Sequence, residues 1–573
     1  MVHQMKAVAS LLIGFWVVVY LCYYNNFNFI RSYTTESQAF KSRKPENSKV
    51  MTYEGSEDYL INTAGCFIPN YIKTLRFVEA TTQKITCGVR AVFIDKSDND
   101  KYIQFRINET LIREQNRNQK YECCYQYVKR STVAGREDNQ VTYSKCTKFE
   151  SGTVIELKEE VIKVSCNTIP SGKTKKVKFY EDAYIILKKI VTKVNEVGKH
   201  WNVLVLGMDT VSRARVVSTM PETVRYFNQH SWLDYKGYQK VGYNTYPNLM
   251  AFLTGRNMST IYHKCAASMS NCNEEIIWKK FQNSGYITAF GEDFLRLPDT
   301  FAPYHGFKTP PTNHYMRPLF LTGETGRGNL ICTQKLPSAI HALNYASQFV
   351  DAYKDNNFFG MFWLNSYSHN LDNAPSMLDE ELRNFLVNLN KTGAFKNTFV
   401  FFLSDHGIRF GKMRLPVESY YEERLPMFFM WVPLDFRKKH KQAYHNLQLN
   451  QNRLTTPYDL HETFRSILQL SYATDTGETS EACPDCTSLF EEKSEDRTCH
   501  NARVDEKWCS CHNLTKVDQR EPGVAISIQL AVSHIQNVSK SVNTKRCTKC
   551  YGLSLKKVLR AHSHVDFIRN TTN

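Results

Sequence analysis

Two hydrophobic patterns divide this chain. From about residue 61 to 180, apolar and polar positions alternate in short stretches such as Val154-Ile155-Glu156-Leu157-Lys158 and Val161-Ile162-Lys163-Val164. A period of two puts every second side chain on one face, so these stretches predict half-buried strands in a small β-rich accessory domain. From about 185 the pattern becomes one of unbroken apolar runs of strand length: 203–206, 286–290, 358–364, 399–403 and 427–432. Segments with helical spacing lie among them, at 274–283, 335–353, 376–390 and 457–470; the last starts at Pro457 and places Leu460, Phe464, Ile467 and Leu468 on one face. Fully buried strands alternating with amphipathic helices predict an α/β domain over 185–475, built around a largely parallel sheet.

The ends of the chain set its surroundings. Ala7 to Tyr24 carries no charged side chain, long enough for a helix to span a hydrocarbon core, so residues 1–31 read as a cytosolic N-terminus and a transmembrane signal anchor. The polar residues 32–60 read as a stem, and 476–573 as a Cys-rich tail. Of 17 cysteines only Cys22 falls in the apolar segment. The others, together with six Asn-x-Ser/Thr sequons at Asn108, Asn257, Asn390, Asn513, Asn537 and Asn570, imply disulfides and glycans on a lumenal or extracellular protein of the Golgi, secretory pathway or cell surface, secreted if the anchor is cleaved. The Cys483/Cys486 and Cys547/Cys550 pairs stand too far apart for a compact zinc ribbon, which favours disulfides there.

Composition narrows the function. A 42% hydrophobic and 13% aromatic content excludes a wholly disordered or fibrous chain. The net charge of +17 suits an anionic substrate or membrane surface, but it is spread without a long basic run, so no nucleic-acid partner is expected.

The candidate chemistry sits directly after buried runs. Asp209 ends 203–209, and Ser404-Asp405-His406-Gly407 ends 399–403. Ligands gather at the carboxyl ends of parallel strands, and two carboxylates with an imidazole suit a divalent ion, zinc or manganese. Alone, Asp209 would read as a helix cap and Asp405-His406 as a turn. Thr245 lies in Asn244-Thr245-Tyr246-Pro247-Asn248, before an apolar helical segment, where a cation would make its hydroxyl a usable nucleophile; without the other two sites it would read as an N-cap. Arg256 could hold a phosphate oxygen or only pair at the surface. Glu292 and Asp293 follow a strand and could line the cleft, whereas His461 belongs to the core or surface of a helix.

A strand ending in Asp, then Asn-Thr-Tyr-Pro-Asn with Leu-Thr-Gly, then Ser-Asp-His-Gly, in that order, resembles the alkaline phosphatase superfamily of nucleotide phosphodiesterases, sulfatases and lipoteichoic-acid-synthase-like transferases. The stretches 207–213, 219–221, 240–245 and 363–369 resemble more closely a family of sulfatase-like type II membrane proteins of animals, domain of unknown function 229. The resemblance covers about 60–470 loosely and 200–470 specifically. It implies an alkaline-phosphatase/sulfatase-like sandwich, with Asp209, Asp405 and His406 as metal ligands and Thr245 as the metal-bound nucleophile. The sulfatase branch uses an oxidised Cys or Ser in a Cys/Ser-x-Pro-x-Arg motif; threonine cannot form that aldehyde, which favours phosphoryl chemistry over sulfate ester hydrolysis. Where the two-metal phosphodiesterases carry Asp-x-x-x-His, this chain has Asn365 and His369. Asn365 in place of the carboxylate implies one metal rather than two, and leaves Asn365 a substrate contact and His369 an acid or phosphate-binding group. The resulting reading is a metal-dependent phosphoryl or phosphodiester hydrolase or transferase acting on a phosphorylated or otherwise anionic substrate. Its alternatives are a non-catalytic extracellular binding protein that keeps the fold and, behind it, a sulfatase.

Overall fold

The apolar runs lie side by side as the strands of one sheet. The computed structural model describes residues 58–75, 86–97, 100–169, 175–190, 201–295, 297, 300–301, 306–369, 374–472, 479–541 and 554–564. The expected anchor over 7–24, most of the stem and Asn570 fall outside them. Seven strands form the sheet: β1 (Asn202–Met208), β2 (Leu233–Asp234), β3 (Ile287–Glu292), β4 (His314–Tyr315), β5 (Phe358–Leu364), β6 (Thr398–Leu403) and β7 (Phe428–Trp431). Their order is β2-β7-β6-β1-β5-β3-β4. The strands from β6 through β4 run parallel, while β7 pairs antiparallel with both β6 and β2.

Why these runs are apolar throughout follows from the two cores they separate. Leu204, Leu206 and Met208 of β1 enter one apolar cluster with Phe362 of β5 and Phe402 of β6. Val203 and Val205 enter the opposite cluster with Phe359, Trp363, Phe401 and Leu403. A strand covered on both faces has no solvent side, and its period of two disappears from the sequence. The helices that bear on the site include α1 (Arg213–Thr219), α2 (Pro221–Gln229), α3 (Thr245–Thr254), α4 (Ile277–Asn283), α5 (Ser338–Tyr353), α6 (Ser376–Lys391), α7 (Ser419–Arg424) and α8 (Pro457–Tyr472). Side chains of α2, α5 and α6 fill the first cluster, and those of α3, α4 and α8 the second.

Two expected helices begin later than their spacing suggests. At 335–353, Leu336–Pro337 pairs with Cys332–Thr333 as a short strand, and the helix starts at Ser338. Pro337 disfavours the helical conformation for the residue before it. At 274–283, a 3₁₀ turn over Asn273–Glu275 ends at extended Ile276 before α4 starts.

The alternating stretches form antiparallel strands as expected. Tyr121–Arg130, Val141–Tyr143, Thr147–Phe149, Val161–Thr168 and Lys178–Ile185 make a five-stranded sheet, and Val92–Lys96, Tyr102–Ile107 and Val154–Glu156 a three-stranded one. Seven disulfides join described cysteines: Cys66–Cys511, Cys87–Cys332, Cys123–Cys166, Cys124–Cys146, Cys265–Cys272, Cys483–Cys486 and Cys499–Cys509. The Cys483/Cys486 pair is therefore a disulfide, while Cys547 and Cys550 lie outside the described residues. The described residues up to Cys511 form one compact unit and those from His512 onward belong to another. In the latter, Thr515–Lys516 pairs with His562–Ser563, and Pro522–Ser541 is helical. No helix among the described residues is long and apolar enough to cross a membrane.

Candidate metal centre and nucleophile

Register brings the polar groups together. Gly207 of β1 stands opposite Trp363 of β5 and Leu403 of β6, while Glu292 of β3 stands opposite Trp363. The residues that follow, Asp209, Asn365, Asp405 and Asp293, therefore reach the same carboxyl-end edge. Glycine is required at 207, because a Cβ there would lie 1.8 Å from the Trp363 ring.

Each of the two central carboxylates has one oxygen tied down and one left over. Asp209 Oδ1 accepts from Thr210 Oγ1 at 2.6 Å. Asp405 Oδ1 accepts from the Thr210 amide at 3.0 Å and from Ser404 Oγ at 3.1 Å. Thr210 serves both while held at φ 61°, a strained conformation for a β-branched residue. Asp405 Oδ2 is buried without a hydrogen-bond partner and faces His406 Nε2 at 3.3 Å. The other ring nitrogen, His406 Nδ1, lies 2.9 Å from the Gly407 carbonyl, an acceptor, which assigns the proton to Nδ1 and the lone pair to Nε2. Two lone pairs thus face each other in a buried place, and the ligand atoms of Asp209, Asp405 and His406 all lie within 4.8 Å of one another.

Thr245 completes this group. Its Oγ1 is 3.4 Å from Asp209 Oδ2. Tetrahedral zinc with bonds of about 2 Å holds its ligand atoms about 3.3 Å apart, so these spacings and this donor set fit a divalent cation. The N-cap of α3 is Asn244; Thr245 is the first helical residue, so its hydroxyl is not engaged as a cap. The loop before it is clasped by Asn248, whose Oδ1 accepts from the Val241 and Gly242 amides and whose Nδ2 donates to the Gly242 and Asn244 carbonyls. All of that amide's hydrogen-bonding capacity is used, which explains an asparagine in a buried place.

His369, partly exposed, stands at the rim with Nε2 4.0 Å from Asp209 Oδ2. Asn365 is buried beneath: its Nδ2 donates to Glu292 Oε1 at 3.2 Å and to the Asp293 carbonyl at 2.8 Å, while its Oδ1 has no hydrogen-bond partner. Asp293 accepts from the Asn365 and Ser366 amides and the Ser366 hydroxyl, so Glu292 and Asp293 hold the loop that carries His369. Arg256 is not part of this group. It lies past the far end of α3, a helix of 10 residues and about 15 Å, where Glu275 and Glu481 engage its guanidinium. His461 is a core histidine, with Nδ1 3.0 Å from the Phe252 carbonyl and its pKa pushed down to about 3 by burial. Asn108, Asn257, Asn390, Asn513 and Asn537 are all exposed.

The sequence reading passed over two residues. Arg215, buried in α1, donates from Nη1 to the Thr210 carbonyl at 3.0 Å and the Ser368 carbonyl at 2.6 Å, tying the turn after Asp209 to the loop of His369. Arg409 donates from Nη1 to the Tyr243 carbonyl at 3.2 Å and to Asn244 Oδ1, beside Thr245. Its only sequence signal was nearness to Ser-Asp-His-Gly.

The electrostatics favour a cation. Burial, then the Asp405 charge, hold the Asp209 carboxyl well above its ordinary value. Burial opposes the Asp405 charge too, but His406 and the Thr210 amide outweigh it and hold that carboxyl low. His406 is pushed down to about 4 by burial, which keeps it in the neutral form that binds metals. Behind the site, burial raises Glu422 from 4.5 to about 7, although Ser212 Oγ donates to it. Between these values the unfolded chain has released the proton that the folded one retains, so the stability associated with Glu422 is full below pH 4.5 and declines as pH rises towards 7. Glu422→Gln removes this dependence. The stability of the variant relative to wild type should therefore rise by about 3 kcal/mol between pH 4.5 and 7.5, read by urea unfolding at both pH values. A constant difference would show that Glu422 stays ionised.

No curated protein matches this chain in sequence. Among solved structures, one similar chain is a protein in the alkaline phosphatase superfamily from Vibrio parahaemolyticus (14% identity, 56% of this chain and 74% of that one, TM-score 0.37). Another is the C-terminal periplasmic domain of EptC from Escherichia coli in complex with Zn (13%, 52% and 90%, TM-score 0.36). A third is the lipoteichoic acid synthase LtaP from Listeria monocytogenes (14%, 55% and 77%, TM-score 0.34). One family model, described as a protein of unknown function (DUF229), matches residues 80–559. That match spans the central sheet and every residue of the candidate metal centre, and the chain belongs to the DUF229 family.

Proposed function

We propose that this protein is a metal-dependent phosphoryl or phosphodiester transferase or hydrolase with Thr245 as its nucleophile. The observation that carries this reading is the meeting of Thr245 Oγ1 with Asp209 Oδ2 at 3.4 Å, next to the unpartnered Asp405 Oδ2 and the bare Nε2 of His406. Asp209, Asp405, His406 and Thr245 would hold one zinc or manganese ion, which when bound supplies positive charge that lowers the pKa of a hydroxyl and stabilises phosphoryl oxygens. Thr245 Oγ1, its proton released to water, attacks phosphorus in line; the new O–P bond forms as the ester O–P bond breaks. His369 donates a proton to the departing alkoxide. Water or an acceptor hydroxyl then takes the phosphoryl group from Thr245 by the reverse sequence. Asn365 offers a neutral amide oxygen where a second ion would need a carboxylate, which supports a single ion over two.

The reading is tested by turnover of the purified, zinc- or manganese-loaded protein on phosphomonoesters, phosphodiesters and sulfate esters. Product from a phosphoester supports it; product from sulfate esters alone refutes it.

Within this reading Arg409 receives the anionic group. Its guanidinium donates to two neutral oxygens, and among the described residues no carboxylate forms a salt bridge with it, whereas Arg256 meets two. Arg409→Gln should raise KM at least about tenfold, since a hydrogen bond to a charged group contributes about 1.5–3 kcal/mol. Arg256→Gln should lower the melting temperature with KM nearly unchanged; the opposite pattern would return the anion to Arg256.

We also propose a lumenal or extracellular setting, with 7–24 as the membrane anchor. The seven disulfides and five exposed sequon asparagines among the described residues support it. N-glycosidase should increase the gel mobility of the expressed protein, and no shift would count against glycosylation.

A further inference from the structure

The segment 499–511 lies well beyond the last strand of the central sheet, yet it packs against both chain segments that build the metal centre. Cys499–Cys509 closes it on itself and Cys66–Cys511 ties it to the start of the described chain. Trp508, at the end of a 3₁₀ turn, is buried. On the nucleophile side, Gln239 Nε2 donates to the Trp508 carbonyl at 2.6 Å, while Gln239 Oε1 accepts from the Ser510 amide and hydroxyl. The Lys240 ammonium, fully buried, lies 4.2 Å from the centre of the Trp508 ring and donates to Glu423 Oε1 at 2.9 Å. Tyr243, two residues before Thr245, meets the indole edge-to-face with centroids 4.4 Å apart. On the other side, Arg424 Nη2 of α7 donates to the Lys507 carbonyl at 2.7 Å and the Tyr420 hydroxyl donates to the Cys509 carbonyl. The Glu423 carbonyl of that helix accepts from the Gly407 amide, directly after His406.

We propose that Trp508 is a positioning residue: it sets the distance between the loop that delivers Thr245 and the turn that delivers Asp405 and His406, and the two disulfides hold it in that place. The proposal rests on the phosphoryl-transfer reading for its effect on rate, but not for its effect on the loop. The ring does so through two contacts that smaller side chains lose. Its face takes the Lys240 ammonium, which keeps a buried cation compensated on the side away from Glu423. It also packs perpendicular to Tyr243, which fixes the stretch of loop just ahead of the nucleophile. Its backbone carbonyl fixes Gln239 independently of the ring, so that removal of the indole loosens 240–245 without detaching the segment.

The test uses the full chain loaded with zinc. Trp508→Ala should lower kcat by about ten- to a hundredfold with KM within about threefold, because a displacement of about 1 Å in a reacting group costs about that much. Zinc content should stay near that of wild type, since no proposed ligand is changed. Trp508→Phe, which keeps an aromatic face and edge, should recover most of the loss. Amide hydrogen exchange at 241–246 should quicken in Trp508→Ala and return towards wild type in Trp508→Phe. A lower melting temperature with unchanged kcat and unchanged exchange at 241–246 would overturn the proposal. If the wild type turns over no phosphoester, the functional reading fails, and the exchange at 241–246 still decides whether Trp508 holds the loop. If Trp508→Ala does not fold, Trp508→Phe carries the same comparison at a smaller amplitude.

Discussion

Thr245→Ala should abolish turnover, by a factor of at least about a thousand, while the protein remains folded and retains most of its metal. The fold should tolerate the change because Thr245 is the first residue of α3 rather than its cap, and alanine is at least as good a helix former. Asp209, Asp405 and His406 still offer three ligand atoms. Thr245→Ser keeps the hydroxyl and should keep measurable activity, with some loss because the missing methyl frees its rotamer. Turnover measured beside the melting temperature separates this from a purely structural threonine, whose loss would lower stability and leave the rate per folded molecule unchanged. Wild-type-like turnover in folded Thr245→Ala would exclude covalent catalysis at this residue.

Asp405→Asn should cut bound metal from about one equivalent per chain to nearly none, measured by elemental analysis after dialysis, because the charged ligand atom is replaced by a neutral one. The metal dependence of stability should disappear with this ligand. Without metal, the fold holds the Asp405 carboxyl low and so favours its charge, and the neutral asparagine should melt somewhat below the wild type. With zinc at about a thousand times its Kd the wild type should gain about 4 kcal/mol, a gain the variant lacks. A chelator should therefore lower the melting temperature of the wild type alone. Two equivalents of metal in the wild type would mean that Asn365 does not prevent a second site.

The strands and the site residues at their ends were legible for one reason. A strand buried on both faces must be apolar along its whole length, so 203–206, 358–364 and 399–403 stand out, and any polar residue directly after such a run lies at the sheet's edge. Asp209, Asp405 and His406 could be placed together on that ground, because parallel neighbours in register end at the same level. Thr245 required the resemblance, since a hydroxyl before an apolar helix has the same local pattern as an N-cap. In the structure Asn244 takes the cap position and the Thr245 hydroxyl faces Asp209.

What depended on long-range packing had no local pattern to reveal it. Arg256 and Arg409 are both single arginines near a motif; only the fold sends one to Glu275 and Glu481 and the other to the loop of Thr245. Arg215 and Asn248 act on backbone atoms, and backbone acceptors are alike at every position. Cys66 and Cys511, 445 residues apart, pair because the folded chain brings them together, and cysteine spacing carries no information about partners. Trp508 reads in sequence as one aromatic in a Cys-rich tail. Its place against Lys240 and Tyr243 arises only once the disulfides and α7 have brought that tail onto the nucleophile loop, so sequence determined which groups could do chemistry and tertiary structure decided which of them meet.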